Sequence, residues 1–448
     1  MVDMRDLGND TAKAVAAAGV AVLTAPSLGE IETFIQRLGV EATGLDDAER
    51  IDRIDALETL RGAAEAAQTE TVADLVVSHR EAATARRASS TRRSQGLAVQ
   101  VGLARRTSPH RAQRDVELAM VLRTELPHTR AAYRAGRIDA YRTTVIARET
   151  ACLSAEDRAT IDEQLCGRAD ALEEVERLTP RRLAGRIQRA AAELDPASMA
   201  ERRRRAEADR HTTLRPAPDV MSWFGALLPV KDGVAVHATL DREARSAKAT
   251  GDQRSIGQLM ADILVQRVLH PEATRSAAAG ATPTSTVPVM VNLIVRDDVL
   301  LGDRDGAGWI DGHGPVPGDL IRQWLADNLD SGVTTWLRRV YEQPDTGQLV
   351  AMDSRATFFD GALAAFLRIR DRVCRTVGCG TRIRHSDHIT PRSRGGPTSA
   401  DNGQGTCELC NYAKEADGWS HRVVPGDRHT VEITTPTGHV YRSTAERF

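Results

Sequence analysis

Cys374-Arg-Thr-Val-Gly-Cys379, Arg384-His-Ser-Asp387-His388-Ile-Thr-Pro391, Asp401-Asn402-Gly403 and Cys407-Glu-Leu-Cys410-Asn411-Tyr-Ala-Lys414 follow one another closely in this 448-residue chain. The cysteines decide how the stretch is read. Cys374-x4-Cys379 and Cys407-x2-Cys410 offer four soft thiolates in two pairs, the donor set of a tetrahedral structural zinc site. With every ligand position filled by protein, none is left for water, so the zinc is expected to hold a fold rather than to perform catalysis. Cys152 and Cys166 stand alone. Clustering of the other four favours a metal over disulfides in a chain kept in a reducing compartment.

Between the pairs, Asp387 and His388 are adjacent. Phosphodiester hydrolysis needs a water deprotonated near neutral pH and a cation that takes up charge on the phosphate and the leaving oxygen. A histidine beside a carboxylate-bound cation provides both. Neighbours on a strand face opposite ways, so the strand is expected to end or bend at this pair. If Cys407 opens a helix running to about Asp417, Cys407 and Cys410 share one face. Asn411 is then rotated by about 100° away from the zinc, with Lys414 three residues further on.

Together these residues resemble the HNH endonuclease motif, in which two strands and a helix surround one divalent cation. The resemblance implies that His388 is the general base, Asp387 a ligand of the catalytic cation, Asn402 the brace of the loop and Asn411 the second cation ligand. Asn411 stands where the family usually has histidine, an HNN variant similar to the HNH domain of RNA-guided CRISPR nucleases. An amide oxygen suits a hard cation, so Mg²⁺ or Mn²⁺ is expected. Lys414, Arg384, Arg392 and Arg394, with Arg382, surround the pair and are expected to meet phosphate. His385 and His421 receive no role, and Trp419 is expected to cap the helix in the core.

Outward from this stretch the chain is helical in texture. Apolar residues recur at helical spacing from Asp46 to about Ala88, and Arg86, Arg87, Arg92 and Arg93 follow around a Ser-Thr break. Pro127 with Gly136, Ser154 with Asp157, and Thr179-Pro180 announce further helices, and Arg202 to Arg205 form a basic run on another. From Met221 strands enter: Met221 to Pro229, Val289 to Val295, and a hairpin of Trp336 to Tyr341 and Leu349 to Met352 joined at Pro344 to Gly347. Helices are expected at 232–247 and 255–269, with the Ala/Thr/Ser/Pro stretch 270–286 as a flexible connector.

Segments such as Leu126 to Asp139, Gly312 to Pro317 and Tyr341 to Asp353 resemble actinobacterial proteins that join a helical domain of unknown function to an HNH domain. The expected fold is multidomain. It has a mainly α region (1–217), a mixed α+β region (218–360), a ββα-metal HNH module with the four-cysteine zinc site (361–422) and a β-rich tail (423–448). Residues 1–360 contain no catalytic constellation.

Composition narrows the class. The formal net charge is −2, so any field that attracts nucleic acid must be local. Lysine occurs only at 13, 231, 248 and 414, which leaves phosphate recognition to guanidinium groups, and between Arg368 and Arg422 ten basic residues face six acidic ones. The apolar stretch Ala14 to Ala25 lacks the positive flank of a signal peptide, and no run is long enough to span a bilayer, so a cytoplasmic protein is expected. The leading function is a metal-dependent endonuclease acting on DNA. A zinc-stabilised nucleic-acid-binding protein without turnover is the alternative.

Overall fold

The computed structural model describes residues 24–85, 96–269, 293–302, 304–310, 313–330, 342–343, 348–349, 359 and 361–446. Outside the described residues lie most of the stretch Ala14 to Ala25, the four arginines 86, 87, 92 and 93, the connector 270–286, the start of the strand at 289–295, and most of the hairpin at 336–352.

The chain divides into two compact units at Leu60. The first holds α1 (Leu28–Leu38) and the start of α2 (Asp47–Ala85). Both helices open on capping boxes: Ser27 and Glu30 exchange bonds of 2.8 and 3.3 Å, and Asp46 and Glu49 exchange two of 2.9 Å.

From Arg61 onward, α2 continues into α3 (Leu97–Arg105), α4 (Pro109–Thr124), α5 (Pro127–Arg134), α6 (Ala140–Glu149), α7 (Ala155–Cys166), α8 (Ala169–Arg177), α9 (Pro180–Leu194) and α10 (Pro196–Ala208). Ser154 and Thr179 cap α7 and α9 as their sequence signatures require. Leu122, Leu126, Ile146, Ile161, Leu183 and Ile187 fill one core, each almost fully buried. The N-terminus of α5 has no cap of its own. Asp162, fully buried on α7, caps it from across the core by accepting from the His128 and Thr129 amides at 2.7 and 2.8 Å.

Helix α3 is buried on all sides from Leu97 to Leu103, the mark of a helix enclosed by protein. Leu97 and Val101 pack with Val72, Val76, Ala112 and Ala119 of the helical core. Val99 and Leu103, half a turn away, pack with Cys374, Cys379, Ile389 and Trp419. The same short helix therefore serves two cores. Gly96 precedes it at φ 83°, where a side chain is strained, and a Cβ there would lie 2.5 Å from Trp419 Nε1.

The helical run ends at Ala208, and β1 (His211–Ala217) pairs antiparallel with β2 (Met221–Leu227). The boundary read at 217 thus falls inside a hairpin. Next come α11 (Val230–Ala249) and α12 (Ile256–Leu269), then a small sheet of β3 (Leu293–Ile294), β4 (Ala307–Ile310) and β5 (Gly314–Pro317) with α13 (Asp297–Leu301) and α14 (Gly318–Asp330). A short pair, β6 (Glu342–Gln343) and β7 (Gln348–Leu349), precedes α15 (Gly361–Asp371).

Beyond α15, β8 (His385–His388) pairs antiparallel with β9 (Gly403–Thr406), and α16 (Glu408–Lys414) follows. A meander of β10 (Ser420–Val424), β11 (Thr430–Thr434) and β12 (Val440–Thr444) closes the module. Its Val431 and Ile433 share the core of the cysteine cluster, so the segment read as a tail is part of that core. No helix among the described residues is long and apolar enough to cross a membrane.

Shortening Leu103, 4% exposed, to alanine is expected to destabilise the second unit by about 2–5 kcal/mol through lost burial and a cavity between the two cores. Urea unfolding of Leu103→Ala measures this. A loss below about 0.5 kcal/mol, typical of a surface position, contradicts the packing described.

Candidate functional site

Two glycine turns shape the first cysteine pair. Gly378 and Gly380 take left-handed backbone at φ 74° and 60°, and the Cys374 amide donates to Thr381 O at 2.8 Å, which folds the chain into a tight knuckle. Cys407 is the N-cap of α16 and Cys410 lies in its first turn. All four cysteines are buried, and their sulfurs lie within 4.8 Å of one another. Sγ of Cys379 is 3.7 Å from those of Cys407 and Cys410. The four could hold a metal ion.

A buried ion pair sets β9 against α15. Arg370 Nε donates to Asp371 at 2.7 Å, and its other nitrogens donate to the Ala400 and Gly403 carbonyls at 2.6 and 2.7 Å. Asp371 in turn accepts from the Gly405 amide at 2.7 Å. Every partner is satisfied, which is what such burial demands. Gly403 has no room for more: a Cβ would sit 2.8 Å from Phe359 and 2.9 Å from Leu367.

Asp387 and His388 close β8, opposite Gln404 and Gly403. The chain then makes a loop that Asn402 ties shut. Its side-chain oxygen accepts from the Thr390 amide at 2.8 Å, and its nitrogen donates to the Thr390 and Pro397 carbonyls at 3.0 and 2.8 Å. Gly396 must be glycine, because a Cβ would overlap the Thr390 carbonyl oxygen.

His388 Nε2 bonds Thr398 Oγ1 at 2.9 Å, and its ring lies 4.5 Å from that of Phe359. Burial pushes its pKa below the ordinary histidine value, Lys414 and Arg392 act the same way, and Asp387 pulls against them. Asn411 Oδ1 accepts from Thr406 Oγ1 at 3.5 Å, on the face of α16 that meets the strands. Arg382, Arg384, Arg392 and Arg394 are exposed, and only the weak Arg392 bond to Thr398 Oγ1 at 3.4 Å engages any of their guanidinium groups among the described residues.

Lys414 departs from the expectation of phosphate contact. Its side chain is 4% exposed, and its ammonium meets Asp387 at 2.8 Å, Glu415 at 3.1 Å and the His388 carbonyl. An ammonium has three donors, and all are occupied by protein. Gln404 was also not foreseen: it donates to Asp387 at 3.0 Å and approaches His421 Nδ1 at 3.4 Å. Only the strand register, which sets Gln404 opposite Asp387, reveals it. Thr398 lies within the motif stretch but received no role from sequence, and Phe359 carried no sequence signal.

Two short strands, a helix across them and four clustered thiols define an HNH endonuclease domain, and the family described as HNH endonuclease matches residues 373–417. Such a domain points to a nuclease and a nucleic-acid substrate. The preceding segment, 54–371, matches the family described as Domain of unknown function (DUF222), and the chain belongs to that family. Comparison with curated proteins and with solved structures finds no match.

One buried histidine makes the module sensitive to acid. His429 is 5% exposed, its Nε2 donates to Asp401 O at 2.9 Å, and burial pushes its pKa down to about 4. The unfolded chain binds this proton below pH about 6.5 and the folded chain only near 4, so stability falls as pH drops through that window. The expected loss is on the order of 2–3 kcal/mol between pH 7 and 4. Urea unfolding at both pH values should show a smaller difference in His429→Gln than in the native sequence; equal differences contradict the assignment.

Proposed function

We propose that this protein hydrolyses DNA phosphodiester bonds. His388 acts as general base, Asp387 and Asn411 are the oxygen ligands of one Mg²⁺ or Mn²⁺, and zinc fills the four-cysteine site. The observation that carries the reading is that Asp387 and His388 close β8 beside α16, under a loop tied by Asn402.

The donor sets suit these ions. Zn–S bonds of about 2.3 Å in a tetrahedron set sulfur atoms roughly 3.8 Å apart, close to the 3.7 Å separations here. A carboxylate and an amide oxygen suit a hard cation, which would share Asp387 with the Lys414 ammonium. When bound, the cation supplies charge stabilisation at the phosphate and the leaving oxygen.

The remaining work falls to side chains. With Nε2–H donated to Thr398, His388 keeps the Nδ1 lone pair to take a proton from the attacking water. Its lowered pKa keeps the imidazole neutral near pH 7, as a base must be. Asn402 acts by fixing the loop and Lys414 by orienting Asp387, while Arg384, Arg392 and Arg394 are free to contact phosphates.

A second reading, a zinc-stabilised nucleic-acid binder without turnover, draws on the same lysine: an Asp387 neutralised by Lys414 is already a satisfied structural pair.

Incubation with supercoiled plasmid separates the two. The native protein is expected to nick or cut it with Mg²⁺ or Mn²⁺, and His388→Ala to lose about 10²- to 10⁴-fold in rate. Asp387→Ala and Asn411→Ala should raise the Mg²⁺ concentration needed for half-maximal cleavage. No cleavage by the native protein with either ion leaves the binding reading standing. Metal analysis tests the zinc separately. About one zinc per chain is expected, and Cys407→Ser should release it and unfold the module, because binding free energy in such sites is folding free energy. Folded protein without zinc sinks that assignment.

A further inference from the structure

Helix α9 shows two unlike faces. Leu183, Ile187 and Ala191 are fully buried and fix it on the helical core. Its other side lines a groove of about 760 Å³ that carries Arg181, Arg182, Arg186 and Arg189 around the bare backbone of Gly185. One carboxylate, Glu174, lies among them and bonds Arg186 at 2.6 Å. The side chains of Arg181, Arg182 and Arg189 have no hydrogen bond or ion pair among the described residues.

Several other arginines of the helical core are neutralised, although Arg203 is exposed and without a side-chain partner among the described residues. Arg202 is held by Glu149, Arg204 and Arg205 by Glu201, and Arg177 by Glu173. In a chain of net charge −2, three unneutralised guanidinium groups in one groove are a local field. Guanidinium stays charged at any physiological pH and grips phosphate oxygens in pairs. At about 1.5 Å rise per residue, Arg182 to Arg189 spans roughly 10 Å, the axial length of about three nucleotides of one strand. No aromatic side chain lines the groove, so it has no platform for stacking bases.

We propose that this groove is a second nucleic-acid contact, which binds the phosphate backbone of duplex DNA away from the cleavage site and without regard to sequence. This rests on the nuclease reading for the choice of polyanion.

The test uses full-length, zinc-loaded protein carrying His388→Ala and a fluorescein-labelled 30-base-pair duplex, in buffer with no added Mg²⁺ or Mn²⁺ and no chelator, so that cutting is negligible and the four-cysteine site stays filled. Anisotropy titrations from 50 to 200 mM KCl give the affinity and its salt dependence. Removal of three phosphate contacts in R181Q/R182Q/R189Q is expected to weaken binding about 10- to 100-fold at low salt and to reduce the slope of log K against log salt by up to about 2.7. The variant R181K/R182K/R189K, which retains charge, should keep the slope. Thermal melts check that these exposed substitutions leave the fold intact. Unchanged affinity and slope in the glutamine variant, or no binding by the parent, overturns the proposal. If the native chain fails to cut plasmid yet the glutamine variant still loses affinity, the nuclease reading fails and the groove stands. If it cuts and the variant binds as before, the groove alone falls.

Discussion

One buried helix, α3, constrains everything built around it. Leu97 and Val101 belong to the helical core while Val99 and Leu103 belong to the core of the cysteine module. The module's strands are four or five residues each, too few to bury their own apolar side. They borrow a surface from the helical part. Gln100, also on α3, adds a polar stitch by donating to Thr437 Oγ1 at 2.8 Å.

On that support, electrostatics sets the geometry of the site. Arg370 and Asp371 reach from the end of α15 to three backbone groups near and on β9, which fixes the strand that lies opposite Asp387 and His388. Lys414 then arrives from α16 and meets Asp387 and the His388 carbonyl. Each buried charge has its partner. Arginines at the rim and in the α9 groove are among those left exposed, where solvent or a polyanion must answer them.

The parts legible in sequence were those whose chemistry is local. Paired cysteines announce a shared centre whatever the fold, Ser154 and Thr179 announce helix starts because a cap is satisfied within three residues, and Pro127 does so because a first-turn proline gives up no helical bond. Long-range partners were hidden. Lys414 sits one turn beyond Asn411 in sequence, but whether its ammonium points to solvent or to Asp387 depends on how α16 crosses β8. Helix α3 escaped for a related reason: buried on every face, it shows no amphipathic period to read. The boundaries read at 217 and 422 followed texture, whereas hairpin β1–β2 and strand β10 run across those positions.

The two family matches meet at residues 371 and 373, which suggests a join between interchangeable pieces. The buried pair argues against that. Arg370 and Asp371 stand on one side of the join, and their acceptors and donor, Ala400, Gly403 and Gly405, stand on the other. A foreign segment grafted at residue 372 would leave the Arg370–Asp371 pair paired with itself but without its three backbone partners in a buried site. It would also leave Val99 and Leu103 facing a stranger. What the family boundary divides in sequence, the packing makes a single piece.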